Sequence, residues 1–308
     1  LICTIIGLEV TIFGSVDMAI LCRKKRKHMN TILITGASAG IGKATVRKFA
    51  NQGWNVIATM RSPEKEQELT QLDNVLVVRL DVEDIGSIKD AINSGIERFG
   101  KINVLVNNAG ILVMGAFELA TEEQVKKQFD VNFFGVLAVT RAILPHFRAN
   151  RSGTIINISS QGGLVGFPTM SLYHASKFAL EGFSEAISHE LLAQNILVKL
   201  IEPGSTATDN WGSFIFAKNE AIVDYDAVGK ETLDNWVKYD IDPCAPEDIA
   251  NTIFLAANDE TDSLRYLVGK DTELYYGMKQ KGDRAFINYM RQRFIPQVMA
   301  GRDDQKTS

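Results

Sequence analysis

Tyr173 and Lys177 stand four residues apart in a segment, Ser171–Gln194, whose apolar spacing predicts a helix, so their side chains share one face. The chemistry such a pair offers is proton transfer. A phenol with a pKa near ~10 is a poor base at neutral pH, and a neighbouring ammonium favours its phenolate. A Tyr-x-x-x-Lys spacing is common in helices, so it needs company before it means catalysis. That company begins at Thr35-Gly36-Ala37-Ser38-Ala39-Gly40-Ile41-Gly42. Three glycines there let the backbone turn tightly and approach a pyrophosphate, whose charge is favoured by the amino end of the helix that follows. The order Gly-x-x-x-Gly-x-Gly differs from the usual dinucleotide fingerprint and lacks the Gly-Lys-Ser/Thr ending of triphosphatases. About twenty residues beyond such a turn, an acid marks an NAD ribose, whereas an Arg accommodates an NADP 2′-phosphate. Thr59-Met60-Arg61 stands at that point with no carboxylate. NADP(H) is therefore expected in preference to NAD(H), with Arg61 on the phosphate.

A scaffold must bring residues 36–42, 61 and 173–177 to one place. From Thr31 onward, short β-branched runs alternate with helical patterns, the signature of βαβ units around a parallel sheet. Strands are predicted at Thr31–Thr35, Asn55–Thr59, Val75–Leu80, Val104–Asn107, Thr154–Ser159, Leu197–Ile201 and Arg265–Val268. Helices are predicted at about Gly40–Gln52, Pro63–Gln71, Asp84–Phe99, Glu122–Arg148, Ser171–Gln194 and Pro246–Ala257. The fold class is α/β: a doubly wound, Rossmann-type sheet of seven parallel strands flanked by helices. No linker or repeat divides residues 29–270, so a single domain is expected. Two stretches depart from the alternation: 209–241, rich in Trp and Phe, and the tail from 272 to 308.

Composition narrows the function further. With 45% hydrophobic and 23% charged residues, 24 Gly and 7 Pro, the 308-residue chain can fill a core, which excludes disordered and collagen-like classes. A formal charge of −4 gives no reason to expect a nucleic-acid partner. Cys3, Cys22 and Cys244 form no disulfide framework, so a reducing, cytoplasmic setting is the default. No metal is expected, since His28, His146, His174 and His189 have no ligand spacing. Residues 1–28 form an apolar stretch followed by Arg23-Lys24-Lys25-Arg26-Lys27. They read as an upstream extension, a membrane anchor or a soluble tail, with Glu9 and Asp17 arguing against an anchor. They stay outside the fold argument.

With the glycine turn, Asn107-Asn108-Ala109-Gly110, Asn132, Ser159-Ser160, Tyr173-x-x-x-Lys177 and Pro203-Gly204, the chain resembles the short-chain dehydrogenase/reductase family over about residues 30–270. The order and spacing agree, including the thirteen positions from Ser160 to Tyr173. The resemblance implies that Tyr173 is the general acid/base and that Ser160 hydrogen-bonds the same substrate oxygen. It implies that Lys177 binds the nicotinamide ribose and lowers the tyrosine pKa, and that Asn132 holds a water in the proton relay. Ser159 competes for the serine role, but successive strand residues face opposite sides and the spacing favours Ser160. Asp81-Val82 resembles the adenine-binding pair. Asn108-Ala109-Gly110 passes the adenosine ribose, Asn107 stabilises the sheet, and Pro203-Gly204 with Thr206 and Thr208 lies against the nicotinamide carboxamide. His174 is assigned to packing or surface.

Leu164, Val165, Phe167, Pro168 and Met170, together with Trp211, Phe214, Phe216 and Tyr225, suggest an apolar substrate pocket or helix packing for the insertion. The C-terminal run Arg265–Asp271 and its helical tail are looser kin to hydroxysteroid- and retinol-dehydrogenase-type members. The expected function is NADP(H)-dependent interconversion of an alcohol and a ketone or aldehyde on a hydrophobic substrate. A non-catalytic NADP(H)-binding redox sensor acting through a protein partner is the alternative, and the intact Ser160, Tyr173 and Lys177 set argues against it. Homodimers or homotetramers are implied by the resemblance, with Glu122–Arg148 and Ser171–Gln194 as contact faces.

Overall fold

The computed structural model describes residues 29–207, 214–239 and 242–300. The expectations for residues 1–28, for Thr208 and for Trp211 fall outside them. Seven parallel strands form the main sheet: β1 (Thr31–Ile34), β2 (Asn55–Met60), β3 (Val75–Arg79), β4 (Val104–Asn107), β6 (Gly153–Ile158), β7 (Ile196–Pro203) and β9 (Arg265–Val268). Their order across the sheet is β3-β2-β1-β4-β6-β7-β9. The order reverses between β1 and β4, where Ile32 pairs with Val56 on one side and Val104 on the other. A ligand crevice belongs at the carboxyl ends of those two strands.

Strands buried on both faces read as continuous apolar runs, and side-chain alternation sends successive residues to opposite layers. Ile32 and Ile34 pack with Val46 and Phe49 of α1 (Gly40–Asn51) and with Ile249 and Ile253 of α7 (Pro246–Asn258). Leu33 packs oppositely with Ile88 of α2 (Ile85–Phe99) and with Val139 and Ile143 of α4 (Gly135–Asn150). Each such side chain, fully buried, contributes about 1.5–3 kcal/mol. Asp84 caps α2 by accepting the Gly86 and Ser87 N–H groups.

Two predicted helices are corrected. Pro63–Gln71 is not one helix but two short 3₁₀ turns, Pro63–Lys65 and Leu69–Gln71. Glu66 breaks it: its backbone is extended, and its buried carboxylate accepts the Glu68 and Leu69 N–H groups that a helix would have used. Glu122–Arg148 is interrupted by a π-helical turn, Asp130–Phe134, between α3 (Glu122–Phe129) and α4. The Asn132 side chain, bonded to the Ile111 backbone, sits in that turn.

The 209–241 region holds a strand, β8 (Phe214–Phe216), and a helix, α6 (Asp226–Tyr239). β8 pairs in parallel with β5 (Leu112–Met114), a small second sheet absent from the sequence expectation. In the tail, α8 (Lys270–Gln280) and α9 (Asp283–Phe294) pack Tyr275, Phe286 and Phe294 against Val165 and Phe167. The chain between Ser160 and α5 (Ser171–Leu192) is thereby clamped from outside.

Candidate active site

The turn after β1 is built by close backbone approach. Gly36 has φ +66°, and a Cβ there would lie 2.9 Å from Ala109 Cα. A Cβ on Gly42 would meet the Gly36 carbonyl at 2.3 Å. Thr35 Oγ1 accepts the N–H groups of Asn108 (2.9 Å) and Ala109 (3.0 Å), and Asn108 Nδ2 donates to the carbonyls of Thr35 (2.8 Å) and Gly36 (3.0 Å). The ends of β1 and β4 are stitched across the crevice. Asn108 thus holds the phosphate turn with its amide, a role the sequence reading did not give it, and Thr35, quoted there only as the start of the turn, acts through its hydroxyl. A hydroxyl at a strand end just before the first glycine was the available signal.

Gly36, Ser38, Gly40, Ile41, Gly42, Arg61, Asp81, Val82, Asn108, Ala109 and Gly110 line one cleft of about 360 Å³. Its other end is lined by Asn132, Ser160, Tyr173, Lys177, Pro203, Gly204 and Thr206. A glycine cradle that admits no Cβ, backed by a helix amino end and facing an exposed Arg61, suits a nicotinamide dinucleotide. Among the described residues no cluster of three His, Cys, Asp or Glu side chains could hold a metal ion.

Ser160 ends its strand segment as the cap of the 3₁₀ turn Gln161–Gly163, accepting the Gly162 N–H at 3.0 Å. Its hydroxyl also bonds the Tyr173 phenol. Ser159 instead turns inward beside Glu181, so the two serines separate as strand alternation requires. Lys177 is buried and donates to the Ile158 carbonyl at 2.7 Å, with Nζ 5.8 Å from the Tyr173 ring centre. Burial brings its pKa down to about 8, against a pull upward from Glu181. Burial also raises the Tyr173 pKa, opposed by the Ser160 bond. Desolvation, not the ammonium, governs the phenol here, which reverses the shift expected from the Tyr-Lys spacing.

Asn132 bonds Ile111 twice, accepting its N–H at 2.8 Å and donating to its carbonyl at 2.9 Å. Asn107 donates to Thr140 Oγ1 and Asn157 Oδ1, tying β4 to α4 and β6. Thr206 donates to the Gly204 carbonyl, and the Ser205 N–H is held at 2.7 Å by Asp271 Oδ2.

Other residues support the site from behind, His174 in the packing role expected of it. His174 is buried: Nε2 accepts the Phe167 N–H at 2.9 Å, so Nδ1 donates to the Gly162 carbonyl at 2.8 Å. It fixes both ends of the segment between Ser160 and Tyr173, and burial brings its pKa down to about 4. Glu202, which with Lys199 is one of two charged residues buried in β7, lies with Glu181 around Arg265.

Residues 30–217 match the family described as short chain dehydrogenase. The chain belongs to the short-chain dehydrogenase family. An uncharacterized oxidoreductase of Schizosaccharomyces pombe is 40% identical over 226 residues, covering 73% of this chain and 95% of that protein. A 3-ketodihydrosphingosine reductase of Bacteroides thetaiotaomicron is 45% identical over 177 residues, 58% of this chain and 64% of that protein. A short-chain dehydrogenase from Streptomyces avermitilis superposes with a TM-score of 0.74 at 33% identity, covering 86% of this chain and 97% of that one. As a short-chain dehydrogenase, the chain is an oxidoreductase with a Rossmann-type fold.

Proposed function

We propose that this short-chain dehydrogenase is an NADP(H)-dependent oxidoreductase that interconverts an alcohol and its ketone or aldehyde on a hydrophobic substrate. The observation that carries the reading is the single cleft in which Ser160, Tyr173 and Lys177 meet the glycine turn and Arg61. When bound, the nicotinamide supplies the hydride in reduction or takes it in oxidation. Everything else falls to the chain. The glycine turn seats the pyrophosphate on the amino end of α1, and Arg61 pairs with the 2′-phosphate. Ser160 orients the substrate oxygen. Tyr173, a phenol that is protonated at neutral pH, gives its proton to that oxygen in the reductive direction. Lys177, pinned to the Ile158 carbonyl, presents its ammonium to the ribose, and a water held at Asn132 replaces the proton. Self-association through α4 and α5, which expose Phe134 at their start and Phe178 midway, belongs to the same reading.

The test follows NADPH oxidation by the purified protein against aliphatic ketones, aldehydes, ketosteroids and a ketoacyl thioester. Tyr173→Phe should lower turnover by roughly 10²–10⁴-fold while NADPH still binds. Equal dissociation constants for NADPH and NADH, or no effect of Arg61→Ala on their ratio, would sink the cofactor preference.

A further inference from the structure

A second cavity of about 640 Å³ lies beside the cofactor cleft, between the β5–β8 ribbon and α6. Among its lining are Met114, Met170, Phe216, Val223, Leu233 and Trp236. Three of these stand open to solvent, Phe216 at 49%, Val223 at 66% and Leu233 at 48% exposure, an apolar concentration that marks a binding surface. The charged side chains of the lining, Lys218, Glu220, Asp226 and Lys230, are all exposed and form its rim.

The two cavities share one wall. In the ribbon Leu112 pairs with Phe214 and Met114 with Phe216. Alternation places these four on one face, while Val113 and Ile215 pack on the other with Leu172. Leu112 and Phe214 line the cofactor cleft, and Met114 and Phe216 line the second cavity. One apolar surface thus runs from the cofactor cleft into the cavity, advancing ~7 Å over two residues. A flexible chain can follow it. Only one polar atom in the lining is buried without a partner among the described residues, Thr232 Oγ1 on α6.

We infer that this cavity holds the linear alkyl tail of an amphiphilic carbonyl or alcohol substrate whose oxidisable end sits at Tyr173. The inference rests on the oxidoreductase reading for the position of the head but not for the binding of the tail. Gly229, Thr232, Leu233 and Trp236 recur on the helical face of α6 that lines the cavity, and a Cβ on Gly229 meets no atom within 4 Å. A larger side chain at 229 therefore enters the cavity without disturbing the helix.

The experiment measures binding and turnover separately on the full chain. Calorimetric titration of n-alkan-2-ols from four to twelve carbons, with NADP⁺ present, should show affinity rising by up to about fourfold per methylene. Gly229→Leu should end that rise at a shorter chain while leaving the shortest alcohol unchanged, and its thermal midpoint should not fall, since Leu is the better helix former. Thr232→Val should bind long chains as tightly or tighter, because it removes an unpartnered hydroxyl from an apolar site. Affinity independent of length, no effect of Gly229→Leu, or weakened long-chain binding in Thr232→Val would each overturn the inference. Chain binding without turnover would support it while sinking the oxidoreductase reading. Turnover with no length dependence would do the reverse.

Discussion

Glu202 Oε1 lies 3.4 Å from Arg265 Nε, and the same nitrogen lies 3.3 Å from Glu181 Oε2. One guanidinium, also paired with Glu185, faces three carboxylates, and Glu202 is fully buried with neither oxygen hydrogen-bonded. Burial first, then repulsion from Glu181, pushes Glu202 up to about 8, against the pull of Arg265. Burial raises Glu181 as well, so the pair holds a proton at neutral pH.

That proton ties stability to pH. A carboxyl whose folded pKa exceeds its unfolded value contributes stability that is complete below the ordinary value of 4.5 and is lost as pH rises through about 8. Urea unfolding should therefore show stability falling by roughly a few kcal/mol between those limits. Glu202→Gln, which mimics the protonated form, should flatten the decline. An equal decline in the variant would place the titrating group elsewhere.

His174 gives the opposite slope. Its folded pKa of about 4 lies below the ordinary 6.5, so its contribution is complete above the latter and is lost as pH falls toward the former. His174→Gln should cost about 1–3 kcal/mol at pH 8, through the orphaned Phe167 N–H or Gly162 carbonyl. It should also be less sensitive to acid than the parent. Hydrogen exchange at Phe167, faster in the variant, reports the loosened segment directly.

Gly42 and Gly182 both stand in helices, where Gly→Ala would ordinarily stabilise by about 0.5–1 kcal/mol. Gly182 in α5 has open space around its Cβ position and should behave so. Gly42→Ala would set a methyl 2.3 Å from the Gly36 carbonyl, opening the turn proposed to seat the pyrophosphate. Thermal melting should separate the two, with Gly42→Ala alone losing stability and at least about tenfold in NADPH affinity, a loss of ~1.4 kcal/mol.

The contrast between these glycines shows what sequence could and could not carry. Gly36, Gly40 and Gly42 were legible because their spacing has one geometric use between a strand and a helix. Tyr173 and Lys177 were legible because four residues is a helical repeat. The β5–β8 ribbon was not, since Leu112 and Phe214 are distant in sequence and each strand is only three residues long. Glu66 read as an ordinary helix residue until its burial showed it bonded to the backbone.

Asp271, distant in sequence from the glycine turn, holds the Pro203–Thr206 segment at the far end of the cleft. It stands in the first turn of α8, where a carboxylate is favoured, and its Oδ2 takes the Ser205 N–H at 2.7 Å. The contact is tight: a Cβ on Gly204 would fall 1.9 Å from Asp271 Oδ1, so a side chain at 204 would have to displace that carboxylate. Asp271→Ala would leave the Ser205 N–H without its acceptor, at about 1–3 kcal/mol, and free the Pro203–Thr206 segment to shift. On the proposed reading, with the adenosine end at the glycine turn and Arg61, that end would not feel the change. NADPH affinity should then fall by about tenfold, while that of 2′,5′-ADP, which carries only the phosphate-bearing adenosine, should stay within about twofold. A parallel loss for both ligands would mean that Asp271 supports the whole fold and not this segment.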